Sequence, residues 1–169
     1  MKKSKSFWDK LMDGLFVAIK WFVAIILLCT IALMFLEVVR RYCFGKTFIW
    51  SEELMRYMII YATFIGGAAA FRAKSLVCFD LVSSKFSPGV KKVVDIINNT
   101  FIVVFLAFVT KLGYNAVFSP SIIKQTSTGL GISMAIPYAA IPIGCALMAL
   151  YALDNYRVLI PRLKEKEAE

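Results

Sequence analysis

The sequence predicts an all-α, polytopic membrane protein with four transmembrane helices and an interfacial amphipathic N-terminal segment. Three observations carry that prediction. The 169 residues are 60% hydrophobic and only 18% charged, with a mean hydropathy of +0.73, values of lipid-embedded chains rather than of soluble domains. The apolar residues fall into four long runs, each near the length of roughly 20 residues that crosses a bilayer. Between the runs lie the charged residues, Pro, Gly and Ser that end helices. A single integral-membrane domain over residues 1–169 accounts for the length and leaves no room for a separate soluble unit.

The first span is expected over residues 15–38. It is preceded by an amphipathic stretch in which Phe7, Trp8, Leu11 and Leu15 oppose Lys10 and Asp13, a pattern suited to the membrane interface. Trp8 and Trp21 read as belt aromatics, and Lys20 as a snorkelling cation. Lys2, Lys3 and Lys5 resemble the basic start of a signal peptide, but no small-residue cleavage site follows, so the helix is expected to be retained as an anchor.

The second span is expected over residues 54–72, with Ser51 as N-cap and Glu52 and Glu53 beside the positive end of the helix dipole. Its uncharged core, residues 57–71, is about 15 residues long, short for a span. Part of the turn from Glu53 to Arg56 must therefore sit at membrane depth or be shielded by protein. Gly66, Gly67 and Ala70 give one face almost no side-chain relief, which suits close helix packing. No bulky complement to that face is evident within the chain, so a partner helix is expected there.

The third span is expected over residues 93–117, after Ser87 and Pro88 as N-cap and first helical residue. Asp95, Asn98 and Asn99 occupy its early turns, and Lys111 lies two-thirds of the way along. A polar, Gly-rich connection over residues 119–133 leads to the fourth span, residues 134–156. Pro137 is harmless in its first turn, whereas Pro142 is expected to kink it. Asp154 and Arg157 close the span, and Lys164, Glu165, Lys166 and Glu167 read as a solvated tail.

The +9 formal charge does not indicate nucleic acid, because the cations are spread over segment ends where phospholipid headgroups lie. Of the 20 Lys and Arg, 14 fall on the side of the termini and the second connection. The positive-inside rule then places both termini in the cytoplasm. Histidine is absent, which removes bis-His haem ligation and makes zinc, non-haem iron and His-based hydrolytic chemistry poor readings. Cys29, Cys43, Cys78 and Cys145 form no CxxC pair. No enzyme activity, cofactor or metal is expected.

Charge concentrates in the first connection, from Arg40 and Arg41 to Trp50, Glu52, Glu53 and Arg56. Glu52 and Arg56 have the i,i+4 spacing and order of a helical ion pair. Glu53 and Glu37 are each placed to meet Arg40 or Arg41, either bracing helices one and two or reaching a partner subunit. An ion-coupling carboxylate would lie nearer mid-membrane. Arg40 and Arg41, retained against the charge bias, call for a protein carboxylate or phospholipid headgroups.

At these residues the chain resembles a known family. The run Glu37-Val38-Val39-Arg40-Arg41-Tyr42-Cys43-Phe44, then Trp50-Ser51-Glu52-Glu53-Leu54-Met55-Arg56-Tyr57, then Phe64-Ile65-Gly66-Gly67-Ala68, is similar to the small membrane subunit (DctQ-like) of TRAP (tripartite ATP-independent periplasmic) transporters. The likeness continues at Arg72, Asp80 and residues 136–144. Leu76 stands where many members have histidine, and Ser133 where many have proline. The resemblance implies a non-catalytic scaffold subunit of the bacterial inner membrane. It would sit beside a large membrane subunit that carries the solute and sodium sites. A periplasmic solute-binding protein would deliver an organic or sugar acid, C4-dicarboxylates and sialic acid among the candidates. It also implies that Arg40, Arg41, Trp50, Glu52, Glu53, Arg56, Gly66, Gly67 and Ala70 serve subunit contact or assembly rather than substrate binding. The alternative from another class is a self-sufficient four-helix exporter acting as a homodimer, which needs an embedded carboxylate. Co-purification with a much larger membrane protein, rather than with a second copy, separates the two.

Overall fold

A computed structural model describes residues 7–73 and 88–164, with side chains placed for 7–73 and 93–156. Lys2, Lys3 and Lys5, the connection with Lys74, Leu76, Cys78, Asp80 and Lys85, the Ser87 cap, and the tail from Glu165 lie outside the described residues. The elements are α1 (Phe7–Phe44), α2 (Ile49–Arg72), α3 (Pro88–Val117), the short α4 (Pro120–Lys124) and α5 (Ala135–Lys164). Four of them (α1, α2, α3 and α5) are long and apolar enough to cross a membrane.

The long helices pack as a row, in the order α1–α2–α5–α3. α1 is a continuous 38-residue helix, about 57 Å at the α-helical rise, so the amphipathic start and the span are one element. One side of its first turns is internal: Met12 and Ile19 are buried in a cluster with Ile65, Ala68 and Tyr151. The other side, with Phe7, Trp8 and Leu11, is exposed. Gly45 ends α1 with φ +65°, its N–H donating to the Arg41 carbonyl at 3.2 Å. This is the left-handed helix stop that glycine adopts without steric cost.

α2 starts at Ile49, with Phe48 as N-cap and no side-chain capping bond, so Ser51 does not serve as the expected cap. It lies inside the first turn, buried, and its hydroxyl turns toward α1. α2 and α5 run parallel, Tyr61 donating to the Ile136 carbonyl at 2.8 Å. They approach closely at Gly144, where an added Cβ would fall 2.7 Å from the Phe64 backbone. α3 and α5 are antiparallel, and Gly113 faces the Pro142 ring. Helix α5 continues through Pro142 to Lys164. Near the other end of this pair, buried Asn99 donates to the Ala152 carbonyl at 3.0 Å and accepts from Asn155 at 3.2 Å. Amide side chains thereby satisfy polar groups that would be costly to leave bare among apolar helices.

This topology gives the bundle a loop end, formed by residues 45–48 and 119–134, and a terminal end, where Asp13 of α1 and Asp154 of α5 meet Arg72 of α2. The start of α1 and the last turns of α5 thus lie on one side.

Candidate functional site

The charged joint foreseen at the start of α2 is resolved into two carboxylate braces. Glu37, near the end of α1, accepts the Phe48 N–H at 3.1 Å and the Ser51 hydroxyl at 2.9 Å. A side chain from the preceding helix thus satisfies donors at the α2 start, in place of a cap from α2 itself. Glu53 points the other way. Its carboxylate accepts the Tyr57 hydroxyl at 2.5 Å and the N–H groups of Gly129 and Leu130 at 2.9 and 3.2 Å. These charge-assisted bonds tie α2 to the connection that feeds α5.

That connection is shaped to receive the carboxylate. Thr126 pairs with Ser133 in an isolated antiparallel bridge, the Ser127 N–H donates to the Ile132 carbonyl at 2.8 Å, and Gly131 takes φ +67°. The Ser127 hydroxyl accepts the Leu130 N–H at 3.1 Å, fixing the turn that aims the two amides at Glu53. Gly129 is required by contact: a Cβ there would lie 2.8 Å from the Ile49 carbonyl and from the Glu53 carboxylate.

Among the described residues neither carboxylate meets an arginine. The Arg40 guanidinium lies 3.4 Å from the Phe48 ring centroid, a cation–π contact, and Phe48 in turn sits 5.2 Å from the Trp50 ring. Among the described residues Arg41 forms no ion pair. The expected meeting of Glu37 or Glu53 with Arg40 or Arg41 is therefore replaced by hydroxyl and backbone donors. The reason is geometric: Glu37 is taken by the α2 start, and Glu53 lies on the α2 face toward α5. Glu52 and Arg56 do pair, at 3.5 Å, with both side chains largely exposed.

The small residues of α2 divide between two neighbours. Gly66 faces Val23 of α1, and Gly67 faces the flexible end of Met148 of α5. Ala68 is fully buried, and Ala70 is half-buried. A complement to the smooth face thus exists within the chain, in Val23 and Met148. Sequence reading missed it because α5 is distant in sequence and Val23 is one apolar residue among many.

The terminal end carries a second ionic joint that sequence reading did not single out as one. Arg72 bonds Asp13 at 2.7 Å and approaches Asp154 at 3.5 Å, with the Tyr151 ring 5.1 Å from its guanidinium. One arginine therefore links α1, α2 and α5. The signal was available: a cation closing an apolar span, with aspartates at the near ends of the neighbouring spans. Among the described residues no three of Cys, Asp and Glu come together as a metal site would require.

In comparison with known families, the chain matches the family model of the DctQ component of tripartite ATP-independent periplasmic transporters over residues 30–162. That interval contains both carboxylate braces, the loop-end turn and Arg72. No curated protein matches the chain.

Proposed function

The chain belongs to the DctQ component family of TRAP transporters, and from that premise we propose that it is the non-catalytic scaffold subunit of a sodium-coupled importer of an organic or sugar acid. It stands beside a large membrane subunit and works with a periplasmic solute-binding protein. It lies in the bacterial inner membrane with both termini in the cytoplasm, the side favoured by 14 of its 20 Lys and Arg.

The observation that carries the scaffold role is the use made of the loop-end carboxylates. Glu37 and Glu53 are committed to backbone and hydroxyl donors of the same chain, at the ends of their helices. Coupling carboxylates in transporters instead lie near mid-membrane beside a cavity or a broken helix. Arg41, Trp50, Glu52 and Arg56 remain exposed at the loop end for contact with partner or lipid. Arg40, Glu53, Gly66, Gly67 and Ala70 act in assembly indirectly, by setting the shape of the subunit. The alternative of a self-sufficient exporter gains no support from the family match.

Affinity purification of the tagged full chain from its native membrane tests the proposal. The expected result is recovery together with a much larger polytopic protein. Recovery solely as a homodimer would overturn it.

A further inference from the structure

An open groove of about 550 Å³ lies between α3 and α5, on the terminal-end side of their contact at Gly113 and Pro142. Ala107, Ala146 and Ala149 form part of its lining, with Leu153 the lining residue nearest the terminal end and Lys111 and Tyr114 toward the loop end. The lining is almost wholly apolar apart from these two side chains and Thr110. Among the described residues Lys111 has no ion-pair partner. Gly113 lies against Pro142 and Asn99 against Ala152, so the lining from Tyr114 to Leu153 covers roughly 14 residues of helix, or about 20 Å at the α-helical rise.

We propose that this groove is a phospholipid site, holding one acyl chain of an anionic lipid of the loop-end leaflet with its phosphate against Lys111. Length, polarity and charge each contribute. The groove runs about 20 Å from Tyr114 toward the terminal end, room for one extended acyl chain, and it ends where Asn99 and Asn155 join the helices. Its walls offer an acyl chain little besides apolar contact. Lys111 lies two turns from the end of α3, within snorkelling reach of the headgroups, and Tyr114 is at the level where amphipathic aromatics meet them. A lysine without a carboxylate partner is neutralised by a lipid of net charge −1 and not by a zwitterionic one, which selects phosphatidylglycerol over phosphatidylcholine. The site depends on the helices being membrane-embedded and is independent of the scaffold role.

The test is native mass spectrometry of the full chain, delipidated in detergent and then exposed to mixed phosphatidylcholine–phosphatidylglycerol vesicles. The wild-type chain should retain one phosphatidylglycerol. Lys111→Gln should lower that occupancy about tenfold, the effect of losing one charge-assisted hydrogen bond, and Lys111→Arg should restore it. Ala149→Phe, which fills the groove without touching charge, should lower it similarly. Lys124→Gln, outside the groove, should leave it unchanged. Equal retention by wild type, Lys111→Gln and Ala149→Phe would overturn the proposal. So would an Ala149→Phe chain that keeps its lipid but no longer purifies with a larger membrane protein, because the groove would then be a seam for a partner helix.

Discussion

Glu53 and Gly129, 76 positions apart, meet through a 2.9 Å hydrogen bond from the glycine N–H to the carboxylate. Leu130 and Tyr57 donate to the same carboxylate, so one side chain at the start of α2 sets the position of the turn before α5. Glu53→Ala removes the acceptor for all three donors and opens the space that Gly129 was required to fit. Hydrogen–deuterium exchange at the Gly129 and Leu130 amides should quicken by about tenfold or more, as expected when a charge-assisted bond is lost. Glu53→Gln keeps one carbonyl acceptor and should fall between. Unchanged exchange in the alanine variant would show that the turn holds itself.

The four spans were legible because hydrophobic run length is a property of the sequence alone. The joint was only half legible. An i,i+4 pair such as Glu52–Arg56 lies within one helix and is fixed by helical geometry, and it forms as expected. The partners of Glu37 and Glu53 depend on which helices become neighbours. Opposite charge suggested Arg40 and Arg41, yet the structure uses backbone N–H groups, which every residue carries and no sequence pattern advertises. Gly144 was similarly hidden. A glycine in an apolar helix becomes informative only once Phe64 is known to face it.

At that contact, volume decides the outcome. An added Cβ at Gly144 would sit within 2.7 Å of Phe64 backbone atoms, whereas one at Gly66 would meet the Val23 side chain at 3.5 Å, an ordinary van der Waals distance. Gly144→Ala should therefore destabilise by about 1–3 kcal/mol, the usual cost of overpacking, while Gly66→Ala should be close to neutral. Thermal unfolding in detergent measures both. Equal midpoints for the two variants would show that α2 and α5 can separate without cost.

Arg72 makes a different kind of contact, shared among three helices. The Arg72 side chain is mostly buried and Asp13 nearly half exposed, so Arg72→Ala should cost about 1–3 kcal/mol, below the 3–5 kcal/mol of a fully buried pair. A double-mutant cycle with Asp154→Asn checks it: the two changes should be non-additive because they remove one joint. Additive losses would show that Arg72 and Asp154 act independently.

Topology is open to chemical labelling. With both termini cytoplasmic, an impermeant thiol reagent added outside should modify a cysteine at Thr128, which is exposed on the loop-end turn, and leave one at Ser83 untouched. Both are introduced into a chain stripped of Cys29, Cys43, Cys78 and Cys145. The reverse pattern would invert the orientation drawn from the charge count.

The division between scaffold and transport mechanism is sharpest at Glu52, Glu53 and Arg56. Within the subunit the exposed Glu52–Arg56 pair is expected to contribute about 0–1 kcal/mol, so Glu52→Gln and Arg56→Gln should barely change the stability of the isolated chain. Any fall in the yield of complex with the large subunit then reports a contact across the interface rather than damage to the fold. Glu53→Gln should act through the fold, loosening the loop-end turn and lowering complex yield as that turn frays. In all three variants transport per intact complex, and its dependence on sodium, should stay at wild-type values. A coupling carboxylate predicts the opposite: full assembly with an altered sodium dependence. Measuring yield and sodium dependence on the same preparations separates the two, and full yield with changed sodium dependence for Glu53→Gln would place this subunit inside the transport cycle.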